Sequence, residues 1–173
     1  MKSRLEQDER SYFTKTANPD ERRATQLLNA TMSYARLILK RYGQLAPFGF
    51  VMDLEGQTFR ETLNIPRLPL DPERLWKLLS DHVATRVRQG RFQGIALAAN
   101  VTLQEKSAEG YADAVVVLIE LESGYATELT VPYRILGGQM RNLLPRRIVL
   151  GKIVAEERSP RFFSARGTSA ELS

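Results

Sequence analysis

A histidine exchanges protons near neutral pH, its ordinary pKa being about 6.5, and the chain has one, His82. It stands in register with Leu75, Leu78, Leu79 and Val83 at helical spacing, so its expected role is a packed, hydrogen-bonded residue at the inner edge of a helix rather than a catalytic base. Asp81 precedes it but points about a hundred degrees away around the helix. A carboxylate pair could run a hydrolase without histidine, and Asp113, Glu120, Glu122 and Glu128 are the candidates. Glu120 and Glu122 would share one face of a strand, with Glu128 across a hairpin. Three convergent acids could hold a divalent cation through oxygen ligands and support a carboxylate-dependent metal hydrolase. The plainer expectation is a solvated face whose charge discourages edge pairing. There is no cysteine, which excludes disulfides, thiolate metal sites and cysteine nucleophiles, and a single imidazole excludes His-rich zinc centres. No glycine pattern makes a phosphate cradle, and Ser80, Ser107 and Ser123 lack a nucleophile-elbow setting. No catalytic, metal or cofactor residue is therefore assigned.

The strongest chemical signal is charge. The chain carries 25 basic and 20 acidic residues over 173 positions, a formal net charge of +5. Between Arg134 and Arg166 stand eight basic residues and only Glu156 and Glu157, leaving 17 basic and 18 acidic residues elsewhere. The whole positive excess thus sits in the C-terminal part. Guanidinium groups fork onto carboxylates or phosphates, and aromatic rings anchor in partner pockets or stack on bases. Arg134, Arg141, Arg146, Arg147, Arg158 and Arg161, with Phe162 and Phe163, are the expected partner-binding residues. An acidic protein is the expected partner. Nucleic acid is the alternative, because +5 falls short of a broad phosphate-binding footprint and no reader motif is present.

Elements must carry these groups. Asn18-Pro19-Asp20-Glu21 reads as a cap, a first-turn proline and a reciprocating acid, followed by Ala24, Leu27, Leu28, Thr31, Ala35, Ile38 and Tyr42 at helical steps up to Gly43. Phe48 to Asp53, the turn 54–57 and a short partner ending near Leu63 predict a hairpin. Asp71-Pro72-Glu73 starts a second helix running to Gly90. Strands are expected at Gly94–Leu103, at the nearly continuous apolar run Ala112–Glu122, and at Tyr125–Tyr133, the last ending or lying at an edge where Pro132 cannot donate. Ile148–Val154 adds one more. Phe48, Phe50, Tyr125 and Tyr133 are expected to pack as core residues rather than line a ligand groove. The class is α+β: a single, mainly antiparallel sheet of five to six strands with two main helices, order αββαβββ(β). Residues 1–17 and 164–173 read as tails around one domain at 18–163. At this length folding buries roughly two-thirds of the chain's surface, enough for a core without staples.

This element order resembles profilin-like and roadblock-like domains, which are mostly binding and regulatory modules. Locally, Tyr42-Gly43-Gln44-Leu45-Ala46-Pro47-Phe48-Gly49, Gly124-Tyr125, Val131-Pro132-Tyr133-Arg134 and Ser159-Pro160-Arg161-Phe162-Phe163 are similar to a family of small uncharacterised bacterial proteins. Those carry Pro-Phe-Gly after the first helix, a Pro-Tyr and a C-terminal Pro-Arg-x-Phe. The resemblance spans residues 24–163, departs in the basic 137–152 stretch, and implies a shared fold without catalytic residues. The N-terminus lacks the apolar region of a secretory signal and no apolar run approaches about 18 residues, so a cytoplasmic location without membrane contact is expected. The functional expectation is a non-enzymatic binding or regulatory module, such as a toxin-neutralising immunity protein or an accessory subunit.

Overall fold

The computed structural model describes residues 18–63, 71–104, 109–138 and 144–164. The two tails beyond Ser164 and before Asn18, together with Arg141, lie outside them. Helix α1 spans Pro19–Tyr42. Its capping box is complete: Asn18 Oδ1 accepts from the Glu21 amide at 2.8 Å, and Glu21 Oε2 accepts from the Asn18 amide at 3.2 Å. Helix α2, Pro72–Arg88, begins at Asp71, whose carboxylate accepts from the Arg74 amide. Each helix buries one stripe: Ala24, Leu27, Thr31, Ala35 and Leu39 on α1, and Leu79, Val83 and Val87 on α2.

The strands are β1 (Phe48–Asp53), β2 (Thr58–Glu61), β3 (Phe92–Thr102), β4 (Asp113–Leu121), β5 (Ala126–Leu136), β6 (Arg147–Leu150) and β7 (Val154–Glu157). They form one antiparallel sheet of order β2-β1-β3-β4-β5-β6, with β7 also on β5. The class is α+β as expected, with seven strands instead of five or six. The extra one arises because the predicted 148–154 strand is two pieces. β6 and β7 follow each other along the same edge of β5, with Leu150 opposite Tyr133 and Val154 opposite Thr130, so the 151–153 step inserts one residue, as a bulge does.

That bulge corrects the reading of Pro132. The strand neither stops there nor lies at an edge; β5 runs to Leu136 between β4 and the β6–β7 edge. Pro132 has no N–H to give, but its carbonyl accepts from the Gly151 amide at 2.7 Å. The bulge therefore sits against the one residue of β5 that cannot complete a ladder.

Alternation splits the sheet into two faces. α1 covers the face carrying Met52, Ala96, Val117, Ile119, Leu129 and Tyr133. α2 packs on the other face against β1 and β3, where Val51, Ile95 and Leu97 share a buried cluster with Leu79 and Val83. Leu118, Phe162 and Phe163 complete that second core. The aromatic strand residues pack as expected: Phe48 and Tyr133 are buried, and Phe50 and Tyr125 lie against the same core.

Tyr133 donates to Asn100 Oδ1 at 2.7 Å. Burial first, and Asp113 second, push its pKa up to about 12. An unfolded chain ionises tyrosine near 10. Between these values the unfolded state has lost a proton that the native state keeps, so stability falls as pH rises. Denaturant midpoints measured from pH 10 to 12 should decline, and Tyr133→Phe should flatten part of that decline; an unchanged slope would mean that the phenol ionises freely in the fold.

Candidate functional site

The arginines that cluster in sequence do not form one surface. Arg146 belongs to α1: its Nη1 donates to the Arg41 carbonyl at 3.0 Å, placing a cation on an orphan acceptor at the negative end of the helix dipole. Gly43 and Gly138, both at positive φ, leave the room its side chain occupies; a Cβ on Gly138 would meet Arg146 Cγ at 2.8 Å. Arg158 is held by the protein's own acids, Glu128 and Glu156, at 2.9 Å each; the Glu128 bond, with both carboxylates nearby, raises its pKa further. These two are fold-building groups, contrary to the expectation that they face a partner.

Phe162 and Phe163 are corrected more sharply. They are 8% and 6% exposed and serve as core residues, so neither can anchor in a partner pocket. What seats them is Glu120, predicted to lie on a solvated acid face but fully buried. Glu120 Oε1 and Oε2 each accept from the Arg161 amide at 2.9 Å, and Oε2 also accepts from the Phe162 amide at 2.8 Å. A buried carboxylate satisfied by backbone donors is stable where an unpaired one would be costly. The acids therefore do not converge: Glu120 holds the C-terminal segment and Glu128 holds Arg158. Among the described residues no three His, Asp or Glu side chains gather as metal ligands would.

Two of the predicted arginines remain together. Arg134 lies opposite Val149, and Leu136 opposite Arg147, so Arg134 and Arg147 are diagonal neighbours on the same sheet face, about 7–8 Å apart between backbones. That face is opposite the one α1 covers, and both residues are exposed. The Arg134 guanidinium lies 4.8 Å from the centroid of the Tyr111 ring. Lys152 is exposed in the adjoining bulge. The Arg161 side chain, also exposed, belongs to the other end of the sheet, since its amide is tied to Glu120 opposite Ala126. Eight residues of β5 separate Ala126 from Arg134, roughly 27 Å.

A second polar cluster involves His82. Its Nε2 is 2.7 Å from Glu61 Oε1, which also accepts from Arg86 Nη1 at 2.7 Å. The histidine is hydrogen-bonded as expected, but its partner Glu61 was missed. The available signal was the pairing of His82 and Arg86 one turn apart on α2, a spacing that directs two donors at one acceptor. Glu61 lines a cavity of about 270 Å3 where β1 begins and β2 ends.

No family model, curated protein or solved structure matches this chain. No helix among the described residues is long and apolar enough to cross a membrane.

Glu120 yields the first site prediction. Glu120→Ala leaves the Arg161 and Phe162 N–H groups without their acceptor, the latter buried, and should cost about 3–5 kcal/mol in chemical denaturation. Glu120→Gln, which offers one acceptor oxygen instead of two, should cost less but speed tryptic cleavage at Arg158 and Arg161; unaltered cleavage would show that the carboxylate does not hold the segment. For the second cluster, a double-mutant cycle over Glu61→Gln and Arg86→Gln should give a coupling of roughly 1–2 kcal/mol. Additive losses would contradict the shared-oxygen geometry.

Proposed function

We propose that the chain is a non-enzymatic binding module that engages an acidic protein partner at the β5–β6 end of its sheet. The observation that supports it is the adjacency of Arg134 and Arg147 on one exposed face. Neither forms an ion pair with an acid of the protein among the described residues. β6 and β7 form the outer edge of the sheet, so backbone donors and acceptors point outward there. Ile153 and Val154 are about half exposed on that edge, and Leu136 lies beside Arg147 with similar exposure. An extended segment bearing Asp or Glu would add main-chain hydrogen bonds, side-chain burial and charge pairing together. An immunity or accessory role is the kind of task such a module performs, and a cysteine-free chain suits a reducing cytoplasm.

A fluorescent acidic peptide of alternating Glu and Val, a neutral peptide with Gln for Glu, and a single-stranded oligonucleotide distinguish the readings by anisotropy. The acidic peptide should bind, and Arg134→Glu/Arg147→Glu should weaken it at least tenfold with an unchanged melting temperature, while Arg161→Glu at the far end leaves it intact. Oligonucleotide binding that collapses steeply with salt, with no peptide binding, would replace this reading with a nucleic-acid one. Equal binding of both peptides, or equal loss in the Arg161 variant, would overturn it.

A further inference from the structure

The cavity beside Glu61 stands apart from the basic edge. It opens between the helices: Tyr34 and Ile38 come from α1, Leu75 and Leu79 from α2, and Phe48 is the first residue of β1. These walls are mostly hydrocarbon and aromatic. At about 270 Å3 the space falls below the roughly 300–1,000 Å3 typical of drug-sized pockets, which suits a fragment-sized ligand. Its charged groups are Arg60 and Glu61, and they differ in availability. Arg60 is already engaged with the wall, its guanidinium 4.9 Å from the Tyr34 ring centroid and its Nη1 donating to the Tyr34 hydroxyl at 2.8 Å.

Glu61 is engaged on one side only. Its side chain is 5% exposed, yet both partners, His82 and Arg86, bond to Oε1. No fully buried side-chain oxygen among the described residues lacks a hydrogen-bond partner. Among the described residues Oε2 accepts no hydrogen bond, which leaves it in touch with solvent, and the space that Glu61 lines is this cavity. A carboxylate oxygen accepts only, and a cationic donor bonds it about twice as strongly as a neutral one. His82 and Arg86 hold the carboxylate in place, so its free oxygen is oriented before any ligand arrives, which reduces the ordering cost of binding.

We propose that this cavity binds a small primary amine, with its ammonium on Glu61 Oε2 and its apolar body between Leu75, Leu79 and Phe48. A ligand anion would meet the Glu61 carboxylate, and an alcohol would gain only the weaker neutral bond.

The test uses phenethylamine, with 2-phenylethanol and phenylacetate as probes of matched body, followed by amide chemical shifts on the full chain. Phenethylamine should give saturable shifts around Phe48, Glu61 and Leu75, the alcohol should bind at least about tenfold more weakly, and phenylacetate should not bind. Glu61→Gln should remove most of the preference for amine over alcohol. Because that change also disturbs His82 and Arg86, Leu75→Trp provides a variant that fills the cavity and leaves the carboxylate cluster intact; it should abolish binding while retaining dispersed native resonances. Absence of saturable shifts with the amine, equal affinity for amine and alcohol, or binding that survives Leu75→Trp would overturn the assignment.

Discussion

A buried carboxylate gripping two backbone amides decides how the C-terminal part of this protein is used. Glu120, in the interior of the sheet, accepts three short hydrogen bonds from Arg161 and Phe162. An ionised group so placed needs donors that cannot leave, and main-chain amides meet that need at the cost of ordering the segment that carries them. Ordering it brings Phe162 and Phe163 into the buried cluster that also holds Leu118, Ile95 and Leu97. Polar satisfaction and apolar closure therefore depend on each other: without the carboxylate the rings have no reason to stay, and without the rings the carboxylate would be wet.

The same segment explains why the positive charge is divided. Continuing from the β7 edge, Arg158 falls beside Glu128 and Glu156, which face each other across the strands. At the other end, the approach to β6 brings Arg146 onto the Arg41 carbonyl in the last turn of α1. The basic stretch is thus spent partly on holding its own path along β5. What stays outward is the Arg134 and Arg147 pair, placed by a register in which a one-residue slip would send both toward α1.

Helices and strands were legible because their signals are local. Asn18, Pro19 and Glu21 state a helix start within four residues, and Val115 to Ile119 states a doubly covered strand by composition alone. The continuation of β5 past Pro132 was not legible, since it depends on a carbonyl meeting Gly151 nineteen residues later. Glu120 reads as an exposed acid because it shares a strand face with Glu122 and stands near Glu128, and nothing in the sequence states that residues 161–163 fold back onto that face. Glu61 hid for a similar reason: an acid in a four-residue edge strand looks solvated until the helix bearing His82 and Arg86 is laid beside it.

Amide hydrogen exchange at Arg161 and Phe162 reaches the central interaction without altering it. If Glu120 seals these two N–H groups into the body, they exchange only through large-scale opening, as slowly as the amides in the middle of β4. Exchange at the rate of an exposed loop would mean that the segment is not held, and that its arginines and phenylalanines are free to meet a partner after all.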